Sequence, residues 1–190
     1  MSRVLAPLRI LLLGLFVLSP FLLGVALPSQ ANAETGAEID ANVTVALDRF
    51  LGNHGSAQAL MDKAAGVLVF PNVVKAGFGF GAEYGEGALQ VAGKTVDYYN
   101  TVAASFGFQI GLQMRSVILM FMTEPALANF RASYGWEAGV DGSVALVTIG
   151  AGATLDTSNI RSPIVGFITD QKGLMYNLTL EGSKMTRIER

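Results

Sequence analysis

The sequence predicts an α+β domain in which short N-terminal helices pack on a curved, glycine-rich antiparallel sheet or half-open barrel of about seven strands. Three observations predict this class. Helical periodicity is confined to two or three short segments, and strand-like alternation recurs through the rest of the chain. No long helices alternate with the strands, which argues against a doubly wound parallel sheet.

The first 33 residues have the features of a secretory signal. Arg3 and Arg9 give a positively charged N-terminus, and residues 10–27 carry no charge. In Ala31-Asn32-Ala33, small residues occupy positions −3 and −1 relative to the expected cleavage site. We expect export by the general secretory route, cleavage after Ala33, and a periplasmic or secreted domain spanning 34–190. The alternative is an uncleaved anchor, because 18 apolar residues are just long enough to span a bilayer.

Composition narrows the possible partners of the domain. The chain has no cysteine, so neither disulfides nor acylation of a cysteine is available. Arg3 and Arg9 are the only charges in the signal, so 11 basic and 15 acidic residues remain in 34–190, a net charge of −4. An acidic domain is a poor candidate for nucleic-acid binding and gains little from anionic lipid.

Three segments have helical patterns. Ile39, Val43, Leu47 and Phe50 recur at helical spacing from residue 37, and Gly52-Asn53-His54-Gly55 is a stop. Ser56 is a candidate cap for a second short helix over 57–65. Thr123-Glu124-Pro125 predicts the start of a third helix over about 124–132.

Strands are predicted between and after the helices. Val67 to Phe70 is an apolar run that we expect to end at Pro71, and 117–122 is another. Residues 136–154 alternate, and 164–169 with 174–180 predict a hairpin whose turn is 170–173. Residues 184–190 are a polar, basic tail.

The most unusual stretch is 76–87, where glycine and aromatic residues alternate. Phe78, Phe80 and Tyr84 share one face, and the other face carries Gly77, Gly79, Gly81 and Gly85. A glycine face calls for close approach of another backbone or a tight bend. We expect the strands at 76–85 and 105–113 to face each other across the curved sheet.

No catalytic constellation emerges from the sequence. The glycines at 77–82 lie in a strand pattern rather than in a turn that opens a helix, and 87–95 has the wrong spacing for a phosphate loop. The single histidine, His54, has no recognisable partner, and Glu83 with Glu86 is predicted to form a solvated rim. We therefore expect no catalytic residue, no metal, no cofactor and no enzymatic activity.

Several runs resemble the hallmarks of the SYLF domain family, namely 65–81, 84–87, 106–113, 119–123 with 126–127, and 173–174 with 180–182. Together they cover most of 40–182. The resemblance implies lipid binding. Eukaryotic members bind phosphoinositides and some bind actin, and bacterial members are usually exported, small and without known enzymatic activity. In the eukaryotic relatives, lipid binding is tied to a basic amphipathic N-terminal segment. The matching segment here, 37–51, carries three acids and one base.

The candidate lipid-binding residues are Lys75, which matches the family's lysine before the glycine run, and Lys63 and Lys94, which we expect to lie near it. Lys75 has an alternative interpretation as an edge lysine that guards against aggregation. The aromatic residues Phe78, Phe80 and Tyr84 either line an apolar lipid cleft or belong to the core.

Two functions of different class follow from the sequence. The first is a non-enzymatic domain that associates with phospholipid or a membrane surface in the cell envelope, mainly by apolar contact. The alternative is a structural or interaction protein of the periplasm that binds an envelope protein or a glycan.

Overall fold

A long, folded β-ribbon organises the protein, and the computed structural model describes residues 33–147, 161–173, 180 and 182–190. The fold is of the predicted α+β class, with a strongly curled, half-open sheet that contains six described strands. The elements are α1 (Gly36–Asn53), a 3₁₀ turn (Gly55–Ala57), α2 (Gln58–Met61), β1 (Gly66–Val91), β2 (Lys94–Phe121), α3 (Glu124–Ala132), β3 (Trp136–Glu137), β4 (Ala145–Val147), β5 (Ile164–Gly173) and β6 (Lys184–Ile188).

β2 is the central strand of the sheet. It pairs antiparallel with β1 along nearly its whole length, and its other edge pairs with β5 at one end and with β6 at the other. The short strand β3 extends β6, and β4 extends β5 as a parallel neighbour. The strand order is β3-β6-β2-β5-β4, with β1 paired to β2 outside this path.

The helices begin close to where the sequence predicts them. Thr35 caps α1 in a capping box with Glu38, and hydrogen bonds from Thr35 lower the pKa of the Glu38 carboxyl. Thr123 caps α3 as expected. The second helix is shorter than predicted, and Ala57 rather than Ser56 occupies its N-cap position. It ends early because the Ala65 N–H donates to the Phe121 carbonyl at 2.8 Å, which brings the chain into the sheet.

Pro71 does not end a strand, contrary to the prediction. β1 continues through it because a register shift between Phe70 and Val73 leaves Pro71 and Asn72 opposite Ser116 alone. This is a β-bulge, one of the few places where a strand accommodates proline. The Ser116 hydroxyl donates to the Pro71 carbonyl at 2.8 Å and fixes the bulge.

The glycine face marks a place where β1 folds back on itself. A Cβ atom on Gly77 would lie 2.6 Å from the Phe80 carbonyl oxygen, and one on Gly87 would lie 2.0 Å from that of Val69. A Cβ on Gly85 would meet the Val73 side chain at 2.9 Å. Both expected causes, a tight bend and close backbone approach, are therefore present.

The partner in this close approach differs from the predicted one. Residues 76–85 and 105–113 do not face each other across the sheet. They are hydrogen-bonded neighbours within it, with Gly77 opposite Gly111 and Tyr84 opposite Val102. The faces that meet belong to the two halves of β1, which the alternation of one strand could not reveal.

Two further segments depart from the predictions. The predicted turn at 170–173 is part of β5, which keeps its pairing with β2 by means of a bulge at Asp170, where φ is +55°. The predicted basic tail contains β6, since Met185 packs in the core while Lys184 and Arg187 remain exposed. Residues 148–154 and 174–179 of the other predicted strands lie outside the described part of the chain.

Two apolar layers pack on the sheet. The inner layer fills the curl and is closed by α3, with Phe130 against Tyr99, Phe121 and Trp136. The outer layer lies under α1 and α2 and covers only one end of the sheet. Thr95 and Tyr98 both donate to Asp40, and these hydrogen bonds fix α1 on this end. Within the described residues, no helix is both long and apolar enough to cross a membrane.

Candidate functional site

Beyond the end of the helices, the described residues on the outer face of the folded ribbon are apolar and exposed. We call this surface the apolar wedge. Its strongly exposed members include Phe80 at 70 % and Leu112 at 56 % of their accessible surface. Its described residues are Val74, Ala76, Phe80, Ala82 and Tyr84 on β1, and Val102, Ala104, Leu112 and Met114 on β2.

The wedge follows from the fold of β1. Because β1 bends sharply between Gly77 and Gly81 and its inner faces meet, the outer faces of its two halves point away from each other. The bend therefore forms a tip with an apolar surface on both sides, and Phe80 lies at that tip. Two residues separate Val74 from Gly77, where the bend begins, and the three steps of extended chain span about 10 Å.

The inner face of the same part of the ribbon is polar and buried. Nη2 of Arg115 contacts both carboxylate oxygens of Glu83, at 2.7 and 2.9 Å, and both residues are at least 95 % buried. The prediction that Glu83 lies on a solvated rim is therefore wrong. Its place in the period-two alternation puts it on the glycine face, which the fold closes.

Lys75 also lies on this inner face, not at an exposed edge, and only 5 % of its surface is accessible. It stands opposite Gln113 in the register, and Gln113 is equally buried. No hydrogen bond or ion pair joins the Lys75 ammonium to another described residue. Lys75 therefore belongs to a polar interior with a Glu–Arg pair, away from the surface that a membrane would touch.

Tyr84 and Glu86 form a second polar cluster beside the wedge. The Tyr84 hydroxyl donates to Glu86 at 2.5 Å, and Arg190 pairs with the same carboxylate. Burial, together with this hydrogen bond to an anion, raises the pKa of Tyr84 to about 12. Glu86 is 9 % exposed, so its predicted place on a solvated rim is also wrong.

The three predicted lysines do not converge. Lys63 and Lys94 are both exposed and stand beside residues that line one groove of about 520 Å³ between the helices and the β1–β2 turn. Leu47, Met61 and Val67 supply apolar walls, and Asp48 and Asp62 are acidic residues of the lining. Lys63 and Lys94 each adjoin a lining residue of this groove in the sequence, and Lys75 does not.

The three predicted aromatic residues have different positions. Phe80 and Tyr84 are exposed on the wedge, so they belong neither to the core nor to a closed cleft. Phe78 pairs with Ile110 in the ribbon, and its side chain lies outside the described part of the structure. For Phe80 and Tyr84, the alternation in the sequence correctly predicted a shared face of the strand, but it did not show whether that face is exposed.

The rest of the wedge was not identified from the sequence. Val74, Val102 and Met114 lie outside the segments predicted as strands, and Leu112 lies in the strand at 105–113 that was expected to face 76–85. The sequence does contain a pattern that could have identified them, because the polar residues Lys75, Gln113 and Arg115 alternate with the apolar residues Val74, Leu112 and Met114. One face of each strand had to be polar, and the sequence could not show that the polar face is the buried one.

Comparison with known proteins gives one family. The family model Ysc84, described as Las17-binding protein actin regulator, matches residues 102–189. This match begins in β2 and includes α3, β5 and β6. No curated protein matches the chain.

Proposed function

Residues 102–189 carry a SYLF domain, also named Ysc84, and on that premise we propose that the protein is a non-enzymatic, lipid- or membrane-associating domain of the cell envelope. The apolar wedge supports the lipid part of this proposal, and the signal-like N-terminus supports the envelope part.

The apolar wedge is the observation that carries the proposal. Monomeric soluble proteins rarely expose large contiguous apolar patches, and those that do use them to bind proteins, ligands or membranes. Here the described residues place apolar side chains outside and Lys75, Glu83 and Arg115 inside. This arrangement reverses the usual one, in which apolar side chains are buried and charged ones are exposed, and it suits a surface that contacts an apolar medium.

The wedge also fits the depth of a lipid monolayer. The bend at its tip begins about 10 Å beyond Val74, which is less than the thickness of half a bilayer's hydrocarbon core, about 15 Å. Insertion of the tip would transfer Phe80, Leu112 and their neighbours from water into lipid without unfolding any element.

Helix α1 offers no competing lipid surface. Its apolar residues Ile39, Val43, Leu47 and Phe50 are buried against the sheet. Its exposed face carries Asp48 and Glu38. The contact with lipid therefore belongs to the sheet, in contrast to the basic N-terminal segment of the eukaryotic relatives.

Co-sedimentation of the exported protein with neutral phospholipid vesicles tests the proposal. Phe80→Asp should reduce binding at least tenfold, because it places a charge at the tip that must enter lipid. Val140→Asp is the matched control, since Val140 is 73 % exposed and lies in the turn after β3, outside the set of wedge residues. It should bind as the unchanged protein does. Absence of vesicle binding, or equal loss in both variants, would overturn the proposal.

A protein partner in the envelope is the second candidate. The description of the matched family names a protein-binding actin regulator, and an exposed apolar patch also suits a protein interface. This candidate requires that Phe80→Asp abolish binding to an envelope protein while the unchanged protein ignores vesicles. A glycan partner finds less support, because the wedge is apolar.

A further inference from the structure

We propose that Lys172 and Lys184 flank the apolar wedge as head-group contacts, and that they give the protein a preference for bilayers containing anionic phospholipid. This inference rests on the proposed membrane association and adds to it the lipid class and two residues. Neither lysine belongs to the set that the sequence suggested.

The sheet register places one lysine beside each side of the wedge. Lys172 of β5 stands directly opposite Met114, and Lys184 of β6 stands directly opposite Val102. Residues directly opposite each other in an antiparallel pair project from the same face. Both lysines therefore lie on the outer face, next to wedge residues, and both are exposed.

Both ammonium groups are available. The ion pairs among the described residues involve Arg49, Arg115, Arg131, Arg187 and Arg190, and none of them involves a lysine. Glu137 stands opposite Lys184 in the β3–β6 register, but the two side chains form no ion pair. The Lys184 stem packs over Gly135, but each ammonium can contact an external anion without breaking an ion pair of the described residues.

The heights of the two lysines match the interface of a bilayer. The rows Val74–Met114–Lys172 and Tyr84–Val102–Lys184 form the base of the wedge on its two sides, and the tip lies beyond both rows. With the tip in the hydrocarbon, these rows reach the level of the head groups. Lysine stems lie along apolar surface while the ammonium reaches a polar layer, which places each charge beside lipid phosphate.

The net charge of the domain differs in sign from the charge that Lys172 and Lys184 place beside the wedge. A charge of −4 over residues 34–190 predicts little attraction to anionic lipid. The wedge itself carries no acid among its described residues, and the carboxylate of Glu86 beside it is already paired with Arg190. Lys172 and Lys184 therefore add positive charge beside the wedge that no described acid neutralises. Screening limits exposed charges to about 10 Å at ordinary salt, so these lysines dominate at the contact.

The other lysines supply controls. Lys63 and Lys94 are equally exposed but lie beside the groove at the helices, away from the wedge. The double variant Lys63→Gln/Lys94→Gln therefore makes the same change in net charge as Lys172→Gln/Lys184→Gln. A difference between the two variants can only come from position.

The experiment is co-sedimentation with vesicles of phosphatidylcholine alone and of phosphatidylcholine mixed with phosphatidylglycerol, at low and high salt. The unchanged protein should bind the mixed vesicles more tightly. Lys172→Gln/Lys184→Gln should lose about fivefold in affinity for each lysine on mixed vesicles, with no change on neutral ones. Lys63→Gln/Lys94→Gln should change binding less than twofold on either, and high salt should remove the advantage of the mixed vesicles.

Two results would overturn this inference and leave the proposed function standing. One is neutral binding with no gain on mixed vesicles, and the other is equal loss in both double variants. Failure of the unchanged protein to bind any vesicle would instead overturn the membrane association itself. Thermal melts of both double variants should match that of the unchanged protein, because all four side chains are exposed.

Discussion

At the scale of single residues, a buried ion pair inside the ribbon favours the fold that leaves the apolar face outside. Arg115 and Glu83 join the two halves of the folded ribbon from inside. A buried ion pair is costly to form and more costly to break, because removing one partner leaves an uncompensated charge. The pair therefore favours the one arrangement of β1 and β2 in which these side chains meet.

Loss of this pair should destabilise the protein strongly. Arg115→Met is expected to lower the free energy of unfolding by about 3–5 kcal/mol, because Glu83 stays buried without its partner. Chemical denaturation measures the change. Arg131→Met is the control, since the Arg131–Asp97 pair is exposed on its arginine side and such pairs contribute less than about 1 kcal/mol. Equal effects would contradict the role assigned to burial.

Two tyrosines should make stability depend on pH in the alkaline range. Burial raises the pKa of both Tyr84 and Tyr99 to about 12, above the ordinary value of about 10. The folded state thus holds these protons more tightly than the unfolded chain does. Their stabilising contribution is complete below about pH 10 and is lost as pH rises towards about 12.

Ultraviolet absorbance during an alkaline titration measures this effect. The spectrum of the folded protein should show a late phase of tyrosine ionisation, and Tyr99→Phe should reduce that phase. Ionisation of all tyrosines in one step near pH 10 would contradict it.

At the scale of elements, the sequence predicts local structure well and long-range contacts poorly. Helices α1 and α3 begin where a capping residue precedes an apolar period. The curled, glycine-rich sheet is likewise visible in the alternation at 76–87. The sequence did not show that β1 continues through Pro71 or that β5 continues through Asp170, because a bulge depends on the pairing with the opposite strand.

The glycines test the account of β1. Gly87→Val should lower stability by about 1–3 kcal/mol or more, because overpacking against the Val69 carbonyl forces the backbone apart. Gly111→Ala should also destabilise the protein, because the φ of Gly111 is +139°, a backbone conformation that other residues rarely adopt. Crowding is not the cause there, since an added Cβ would meet nothing within 4 Å. Gly55→Ala is the control, with nothing within 4 Å of the added atom. Thermal melts compare all three, and an unaltered Gly87→Val protein would refute close approach.

At the scale of the whole molecule, the candidate site depends on which face of the ribbon the fold closes. Alternation assigned Phe80 and Tyr84 to one face and Glu83 to the other, and only the fold of β1 shows that Glu83 is inside. The flanking lysines come from β5 and β6, more than 50 residues away in sequence from Val102 and Met114. No local pattern could have placed them there.

Export remains a prediction from the first 33 residues. N-terminal sequencing of the protein recovered outside the cytoplasm should begin at Glu34, because small residues precede the expected cleavage site. A mature start at Met1 would instead indicate a retained anchor.

The central claim, that the wedge tip enters lipid, can be measured directly by fluorescence. The chain has one tryptophan, Trp136, and it is buried. Phe80→Trp therefore adds a reporter at the tip, and Val140→Trp adds one elsewhere on the surface. On addition of phospholipid vesicles, emission of the Phe80→Trp protein should shift to the blue and be quenched by lipids labelled in their acyl chains, with no change for Val140→Trp. Unchanged emission from Phe80→Trp on vesicles that the protein demonstrably binds would contradict the account.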